Sequence, residues 1–143
     1  MTLMRVLPFT KYLLEQAVAD GDTVIDATAG NAGTASCTNG SNVNVDIETT
    51  SDAGGGCNVG WIESGEWLEY SINVPAGAYR ADVRVASMGG GGSYNLQIDG
   101  VQVVATTAVS NTGGWQSWST QSSAVFNVGA GTHTLRINVS GAM

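Results

Sequence analysis

The chain has 143 residues and a formal net charge of −7, which arises from 12 acidic and 5 basic side chains. This length is sufficient for one domain with its own hydrophobic core. Five bases are too few for the clustered Lys and Arg that neutralise phosphates, so we expect no nucleic-acid partner. No apolar run approaches the roughly 20 residues of a membrane-spanning helix, and we expect no membrane partner either.

The first twenty residues differ from the rest, because they contain no glycine and hold two of the five bases. Apolar residues recur there at helical spacing, from Leu3 to Val18, and Asp20-Gly21-Asp22 ends the pattern. This predicts an N-terminal helix, which is followed by one added strand in TVIDAT (23–28). Charges and a proline interrupt the apolar stretches, and no small-residue cleavage site follows. The segment therefore does not read as a secretory signal, and the chain as it stands is expected in the cytoplasm.

From about Gly30 onward the pattern changes to short strands that are separated by turns. LEYSINV (68–74) and AYRADVRV (78–85) alternate between apolar and polar residues, as half-buried strands do. Asp99-Gly100 joins two further strands as a hairpin turn, and Gly129-Ala130-Gly131 separates the last two. At least seven such strands predict a mostly β fold, a two-sheet antiparallel β-sandwich of the jelly-roll type.

The two cysteines, Cys37 and Cys57, lie in loop-like stretches of the sequence. They form either a disulfide, which would suit an exported protein, or two half-buried free thiols. Two thiols and a single histidine do not make a zinc site, and His133 shares the parity of core residues on its strand.

No set of residues has the pattern of a catalytic site. Glu63, Glu66 and Glu69 follow one another along a turn and a strand, whereas glycoside hydrolysis needs two carboxylates on opposite sides of a cleft. A serine nucleophile would need His133, which the alternation directs toward the core. We therefore predict that the chain is not an enzyme.

The four tryptophans carry more information about function. Trp61 and Trp115 each follow a glycine-rich loop, so we expect exposed indole rings at the ends of strands. Trp67 lies on the polar face of its strand beside Glu69, whereas Trp118 has the parity of a core residue. An exposed indole is a flat apolar platform that suits a sugar ring, whose hydroxyls pair with carboxylates and amides.

Three blocks of the sequence together resemble a family 6 carbohydrate-binding module over about residues 26–143. They are IETTSDAGGGCNVGWIESGEWLEYSINVPAGAYRADVRVAS, NTGGWQSWST and GAGTHTLRINV. The resemblance implies a non-catalytic β-sandwich that binds β-linked glycans. It implies that Trp61 and Trp115 clamp a sugar ring in a cleft at the loop end and that Glu48 contacts its hydroxyls. It also implies that Trp67 belongs to a second cleft on the concave sheet face.

The sequence departs from that family at both ends. The opening strand with its Ala-Glu pair and the closing strand with its cleft asparagine are absent. The structural calcium that the resemblance implies therefore lacks part of its usual ligands, and we expect no other cofactor. Missing terminal strands would expose sheet edges, so we expect a homo-oligomer through those edges as one outcome.

The N-terminal stretch RVLPFTKYLLEQAVADGDTVIDATAGN resembles the start of a Rossmann-type methyltransferase of the rRNA methylase group, which binds S-adenosylmethionine. In that resemblance residues 26–31 would be the glycine loop after the first strand, yet TASCTNGSNVNV cannot supply the helix that should follow. The two resemblances indicate a fusion near DATAGN. Residues 1–28 would be a helix–strand segment of methyltransferase-like origin, and residues 29–143 the module without its usual terminal strands.

Three functional hypotheses follow from these patterns. The first is non-catalytic binding of a β-linked polysaccharide through the loop-borne tryptophans, as in modules of secreted enzymes. The second is a fused protein that folds, alone or as a strand-exchanged oligomer, without ligand binding. The third is a fragment of a methyltransferase that binds S-adenosylmethionine.

Overall fold

A computed structural model describes residues 2–7, 23–24, 33–34, 37–38, 47–53 and 57–141. These residues form strands and loops, and none of them belongs to a helix long and apolar enough to cross a membrane. The described strands, in chain order, are β1 (Thr2–Leu7), β2 (Thr23–Val24), β3 (Gly33–Thr34), β4 (Cys37–Thr38), β5 (Ile47–Thr49), β6 (Cys57–Val59), β7 (Trp67–Val74), β8 (Gly77–Tyr79), β9 (Asp82–Ser87), β10 (Ser93–Ile98), β11 (Val101–Ala108), β12 (Ser119–Ser122), β13 (Phe126–Val128) and β14 (Gly131–Ser140).

Within these ranges the strands form two large antiparallel sheets and two short strand pairs. The first sheet has the order β12-β9-β1-β6-β5 and the second has the order β11-β10-β14-β7-β2. The short pairs are β13 with β8 and β3 with β4. The predicted two-sheet antiparallel β-sandwich is therefore confirmed.

The core lies between the two large sheets. Along β7 every second side chain is buried, as the alternation of LEYSINV predicts. The least exposed apolar side chains come from β9 in one sheet and from β10 and β14 in the other. They are Val83, Val85, Ala86, Tyr94, Leu96 and Ile137, each at most 2% exposed. Burial of one such side chain contributes roughly 1.5–3 kcal/mol, so the facing strands hold the sandwich together.

The turns follow the sequence signals in one case and depart from them in another. Asp99 and Gly100 form the predicted hairpin between β10 and β11, and both have positive φ, 50° and 81°. The predicted strand over residues 122–128 is interrupted, because β12 ends at Ser122 and β13 begins at Phe126. β13 pairs with β8, whereas β14 pairs with β7 and β10, so Gly129-Ala130-Gly131 connects strands that are not paired with each other.

The N-terminal helix prediction is wrong for its first residues. Thr2–Leu7 forms β1, which pairs with all six residues of β9 and with β6 at Met4↔Val59. The strand ends directly before Pro8, which cannot donate a hydrogen bond to a ladder. An isolated short helix is marginal in water, whereas an inner strand pairs its backbone on both sides. The remainder of the predicted helix lies outside the described residues.

The added strand predicted at 23–28 is present at its first two residues, because Thr23–Val24 pairs with Tyr70 and Glu69 at the edge of the second sheet. Residues 25–28 lie outside the described part of the chain. The side chains of Cys37 and Cys57 also lie outside it, so their disulfide stays a prediction.

Candidate functional site

The hairpin of β5 and β6 carries the first part of the candidate site. Glu48 and Asn58 are directly opposite each other in this strand pair. The side chain of Asn58 is almost completely buried, and its Nδ2 donates to Glu48 Oε1 at 3.4 Å and to the Val59 carbonyl at 3.3 Å. Glu48 itself is half-buried. The hairpin therefore carries the half-buried Glu48 carboxylate, which accepts a hydrogen bond from the buried side-chain amide of Asn58.

The loop between β11 and β12 carries the second part. Ser117 N donates to the Gly114 carbonyl at 3.2 Å, so Trp115 and Gln116 are the two central residues of one tight turn. A side chain at Gly114 would meet Ser117 Oγ at 2.9 Å, which favours glycine at this position. The side chains of Trp115 and Gln116 therefore both project from this one turn.

The same loop is anchored to the end of β9 and to the glycine run that follows it. Asn111 Oδ1 accepts hydrogen bonds from Gly89 N at 3.0 Å and Gly113 N at 2.9 Å. Ser87, which is fully buried, donates its N–H to Thr112 Oγ1 at 2.7 Å and accepts from Thr112 N at 3.0 Å. Trp115 thus follows a loop that is fixed on both sides of Thr112.

Gln116 connects the loop to the hairpin. Its Nε2 donates to Glu48 Oε1 at 2.8 Å and to Asn58 Oδ1 at 3.2 Å. Its Oε1 accepts from Ser51 N at 2.9 Å and from Trp118 Nε1 at 3.0 Å. The neighbour of Trp115 therefore holds the carboxylate of Glu48.

The segment that contains Ser51 is fixed by an ion pair. Arg84 Nε donates to Asp52 Oδ2 at 2.9 Å, and a second guanidinium nitrogen contacts Oδ1 of the same carboxylate. The side chain of Asp52 is buried, so this two-point pair is shielded from water. The hydrogen bond to Asp52 raises the pKa of the Arg84 guanidinium above its ordinary value. The charges of Arg84 and Asp52 beside the Ser51 segment therefore neutralise each other.

Trp61 lies two residues after the end of β6 in a left-handed backbone conformation, with φ at 51°. Its side chain is exposed at 38%. Bulky residues seldom adopt this conformation, because the Cβ approaches the following carbonyl at a cost of roughly 1–2 kcal/mol. The turn is closed by the buried Glu66, whose Oε2 accepts from Glu63 N at 2.8 Å, and by Gly65 N, which donates to the Val139 carbonyl at 3.0 Å. The ring is thus presented to solvent by a strained but well-anchored turn.

Trp67 lies on the other large sheet, at the start of β7. Its ring is half-buried, and the guanidinium carbon of Arg136 lies 4.2 Å from the ring centroid. Arg136 Nε also donates to Glu69 Oε1 at 2.6 Å. Asn138 and Asn95 continue this outward face, where Asn138 Nδ2 donates to Asn95 Oδ1 at 3.0 Å. The face is a row of paired polar groups beside one aromatic ring.

The structure brings some of the predicted site residues together and separates another. Glu48 and the turn of Trp115 are joined through Gln116, and Asn58, which bonds to both Glu48 and Gln116, is three residues before Trp61. Trp67 belongs to the other large sheet. Glu48, Trp61 and Trp115 are the residues that the sequence predicts for a cleft at the loop end, and this predicted site is called the loop-end cleft below.

Three expectations about single residues need correction. Trp115 is half-buried, whereas the sequence predicted an exposed ring there as at Trp61. Trp118 is not part of the buried core, because it is half-buried and its indole N–H is engaged by Gln116. His133 has the parity of core residues, as predicted, but its ring lies at the sheet end, where it contacts Asp99 and the Gly129 carbonyl.

Sequence reasoning missed Asn58 and Gln116. The signal for Gln116 was its position between Trp115 and Trp118, and for Asn58 its place on a strand opposite Glu48.

Among the described residues, no group of three His, Cys, Asp or Glu side chains is arranged to hold a metal ion. The structural calcium that the sequence resemblance implies stays a prediction.

A β-sandwich that presents an exposed aromatic ring on a turn and a held carboxylate on a strand hairpin is an arrangement suited to carbohydrate binding. Residues 25–143 match the sequence profile of carbohydrate binding module family 6. The chain belongs to this family, which is non-catalytic, in agreement with the prediction that it is not an enzyme.

Individual relatives agree with this assignment. The family 6 module of lichenase 5A from Cellvibrio mixtus, solved in complex with cellotriose, is 42% identical and has a TM-score of 0.60, over 68% of this chain and 78% of that module. A β-1,3-glucan-binding family 6 module from Bacillus halodurans is 32% identical and has a TM-score of 0.59, over 68% and 75%. The clotting factor G alpha subunit of Tachypleus tridentatus is 45% identical over 101 residues, which are 68% of this chain and 15% of that protein. The chain therefore spans a small part of this longer relative.

Proposed function

We propose that this chain binds a β-linked glucan, without cleaving it, in the loop-end cleft. Trp61 and Trp115 would stack on the sugar, and Glu48 would accept hydrogen bonds from its hydroxyls. The observation that carries this proposal is the bond from Gln116 Nε2 to Glu48 Oε1 at 2.8 Å, because it fixes a carboxylate next to the turn that bears Trp115. The cellotriose complex of one relative and the β-1,3-glucan binding of another support the choice of a β-glucan.

The chemistry of the three side chains matches that of a pyranose. The axial C–H groups of the sugar form an apolar face that fits an indole ring, while its equatorial hydroxyls need polar partners at the ring edge. An ionised carboxylate only accepts hydrogen bonds, so Glu48 selects hydroxyl donors. Charge-assisted hydrogen bonds of this kind are stronger than neutral ones, which favours one orientation of the ring.

The affinity is expected to be modest. One or two stacked rings and a few hydrogen bonds that compete with water give dissociation constants of roughly micromolar or weaker. Such binding suits a module that holds a larger protein near an insoluble polymer by repeated contacts.

Native affinity electrophoresis tests the proposal. The full chain is run in gels that contain laminarin, mixed-linkage glucan, xylan, agarose or mannan, beside Trp115→Ala and a control, Val125→Ala. Val125 is an exposed apolar residue just before β13, so its loss tests the general effect of removing surface apolar area. We expect retardation of the parent and the control by a β-glucan, and none of Trp115→Ala.

Circular dichroism on the same samples separates binding from folding. A folded Trp115→Ala that migrates as the parent does in every gel in which the parent is retarded would contradict the proposed cleft. An unfolded Trp115→Ala would mean that the ring is structural. If no gel retards the parent, the alternative of a folded fusion without ligand binding takes its place, and size-exclusion chromatography then tests the strand-exchanged oligomer.

A second candidate site is the outward face of β7 and β14. It is favoured by the half-buried ring of Trp67, which lies beside an ion pair and a row of amides. Trp67→Ala in the same gels distinguishes it from the loop-end cleft. Retardation that depends on Trp67 alone would assign glycan binding to the sheet face.

The methyltransferase-like origin of residues 1–28 stays a prediction, since the loop at 26–31 lies outside the described residues. A rise in melting temperature with S-adenosylmethionine would support a retained cofactor site, because a ligand that binds only the folded state stabilises it. An unchanged melting temperature would exclude that function for this chain.

A further inference from the structure

We infer that Gln116 is the positioning residue of the loop-end cleft, which holds the Glu48 carboxylate in register with the Trp115 ring. The inference rests on the proposed function, because a positioning role has meaning only for a site that binds. The inference extends the proposed function, because it names a residue that need not touch the sugar and yet determines where the Glu48 carboxylate lies relative to the Trp115 ring.

The orientation of the Gln116 amide is determined by its partners. Ser51 N and Trp118 Nε1 can only donate, and both point at Oε1, at 2.9 and 3.0 Å. The carboxylate of Glu48 only accepts, and it lies 2.8 Å from Nε2. If Oε1 and Nε2 of Gln116 were exchanged, the amide NH₂ group would face the two N–H donors and the amide oxygen would face the Glu48 carboxylate, so these hydrogen bonds would be lost. The side chain therefore has one satisfied orientation.

This orientation of the Gln116 amide gives the two carboxylate oxygens of Glu48 different roles. Oε1 receives hydrogen bonds from Gln116 at 2.8 Å and from Asn58 at 3.4 Å. Both of these hydrogen bonds go to Oε1, so we assign Oε2 as the oxygen that accepts from a sugar hydroxyl. Gln116 thereby fixes the direction in which the carboxylate can accept.

The same residue couples this direction to the aromatic platform. Trp115 and Gln116 are the central pair of the turn from Gly114 to Ser117, so a shift of one changes the other. Asn58 adds a buried support, because its Oδ1 accepts from Gln116 Nε2 at 3.2 Å. The side-chain amide of Gln116 thus connects the turn that bears the Trp115 ring to the Glu48 carboxylate.

Gln116→Glu is the sharpest test, since it preserves shape and still accepts from Ser51 and Trp118 while it removes the donor toward Glu48. Two carboxylates then face each other at hydrogen-bond distance and cannot both be ionised without a large cost. The nearest other charges on the adjoining segment are the paired Asp52 and Arg84, which the variant leaves unchanged. Gln102→Glu is the matched control, because it makes the same change on the exposed part of β11, next to the Asp99-Gly100 turn at the opposite end of the sandwich.

We expect Gln116→Glu to weaken glucan binding by about tenfold or more at pH 7, which is the loss of one charge-assisted hydrogen bond, and Gln102→Glu to bind as the parent does. Binding by Gln116→Glu should recover as the pH falls far enough for the two carboxyls to share a proton. Parent-like binding by Gln116→Glu at pH 7, or a loss that does not recover on acidification, would overturn the inference.

A measurement without glycan distinguishes this failure from failure of the proposed function. In Gln116→Glu the side-chain carboxyl ¹³C resonances of positions 48 and 116 should titrate together, as a pair that shares one proton. The indole ¹H–¹⁵N signal of Trp118 should keep its hydrogen-bonded position in this variant and lose it in Gln116→Leu. Independent titration of the two carboxyls would overturn the positioning role even if the parent binds a glucan. Coupled titration together with a parent that binds no glycan in the panel would support the contact between Gln116 and Glu48, and would show that the proposed function, and not this contact, has failed.

Discussion

The guanidinium carbon of Arg136 lies 4.2 Å from the centroid of the Trp67 ring, so one face of this indole is covered by a cation. Arg136 is directly opposite Glu69 in the pairing of β14 with β7, and its Nε donates to that carboxylate at 2.6 Å. On the outward face of the second sheet, Arg136 therefore contacts both the Trp67 ring and the Glu69 carboxylate. A sugar that stacks on the covered face of Trp67 would have to displace Arg136.

The first prediction concerns this group. Arg136→Gln should lower the free energy of unfolding by about 1 kcal/mol, because it removes a cation–π contact and a partly exposed ion pair. Urea unfolding measures the loss, and quenching of tryptophan fluorescence by acrylamide should increase. Arg80→Gln is the control, since Arg80 makes an exposed ion pair with Asp82. An equal loss in both variants would mean that the Trp67 contact contributes nothing.

The second prediction concerns the left-handed backbone of Trp61. Glycine adopts a φ of 51° without the Cβ penalty that alanine keeps, so Trp61→Gly should be more stable than Trp61→Ala by about 1 kcal/mol. Both variants remove the exposed ring, and both should lose glucan binding. Thermal unfolding and affinity electrophoresis on the same pair of proteins provide the two readouts.

The result also shows whether strain at Trp61 is maintained for binding. If both variants have the same stability, the turn relaxes when the ring is removed and no strain is stored there. If either variant binds as well as the parent, Trp61 is not part of the platform. Only the combination of a more stable glycine variant and lost binding fits a strained, functional residue.

The elements that the sequence predicts well are those whose cause is local. The alternation of LEYSINV gives the buried face of β7, and Asp99-Gly100 gives the hairpin of β10 and β11. In each case the side chains that decide the structure are neighbours in the chain. The same is true of the exposure of Trp61, which follows from its place after a glycine-rich segment.

The elements that the sequence does not predict depend on distant partners. The bond from Gln116 to Glu48 joins residues that are 68 positions apart, and the pairing of β1 with β9 joins the first residues to the middle of the chain. Helical periodicity at Leu3 and Val6 is a local signal that this long-range pairing overrides. The prediction that Trp118 belongs to the core is wrong for the same reason, because the parity of a strand does not indicate that the side-chain oxygen Oε1 of Gln116 accepts from its indole N–H.

The third prediction concerns β1. It lies between β9 and β6 in the first sheet, so deletion of residues 1–7 should leave each of these strands without a partner on one side and cause aggregation or a large fall in melting temperature. Arg5→Pro tests the same strand with one substitution, because Arg5 pairs with Arg84 and proline cannot donate in an inner strand. Arg5→Ala is its control, since it keeps the backbone N–H.

Light scattering and thermal unfolding measure the outcome for these three proteins. A deletion variant that stays monomeric with an unchanged melting temperature would show that β1 does not contribute to the fold in solution. Equal behaviour of Arg5→Pro and Arg5→Ala would lead to the same conclusion, because the two differ chiefly in the backbone donor.

The fourth prediction concerns the pH dependence of stability. His133 Nδ1 lies 2.6 Å from Asp99 Oδ2 and Nε2 lies 3.0 Å from the Gly129 carbonyl, so both ring nitrogens face acceptors and the doubly protonated ring fits best. The hydrogen bond to Asp99, and then that to Gly129, raises the pKa of His133 above its ordinary value of 6.5. The hydrogen bond from His133, and then that from the Thr134 backbone, lowers the pKa of Asp99 below 3.8.

The signs of the two shifts define a window. The contribution of His133 is complete below pH 6.5 and is lost as the pH rises through its raised pKa. The contribution of Asp99 is complete above pH 3.8 and is lost as the pH falls through its lowered pKa. The melting temperature of the parent should therefore decrease on the alkaline side of this window, and His133→Gln should remove that decrease. Asp99→Asn is the matched variant, because asparagine tolerates the positive φ of 50° while it cannot stabilise a charged ring as a carboxylate does. An alkaline decrease that persists unchanged in both variants would assign it to other groups.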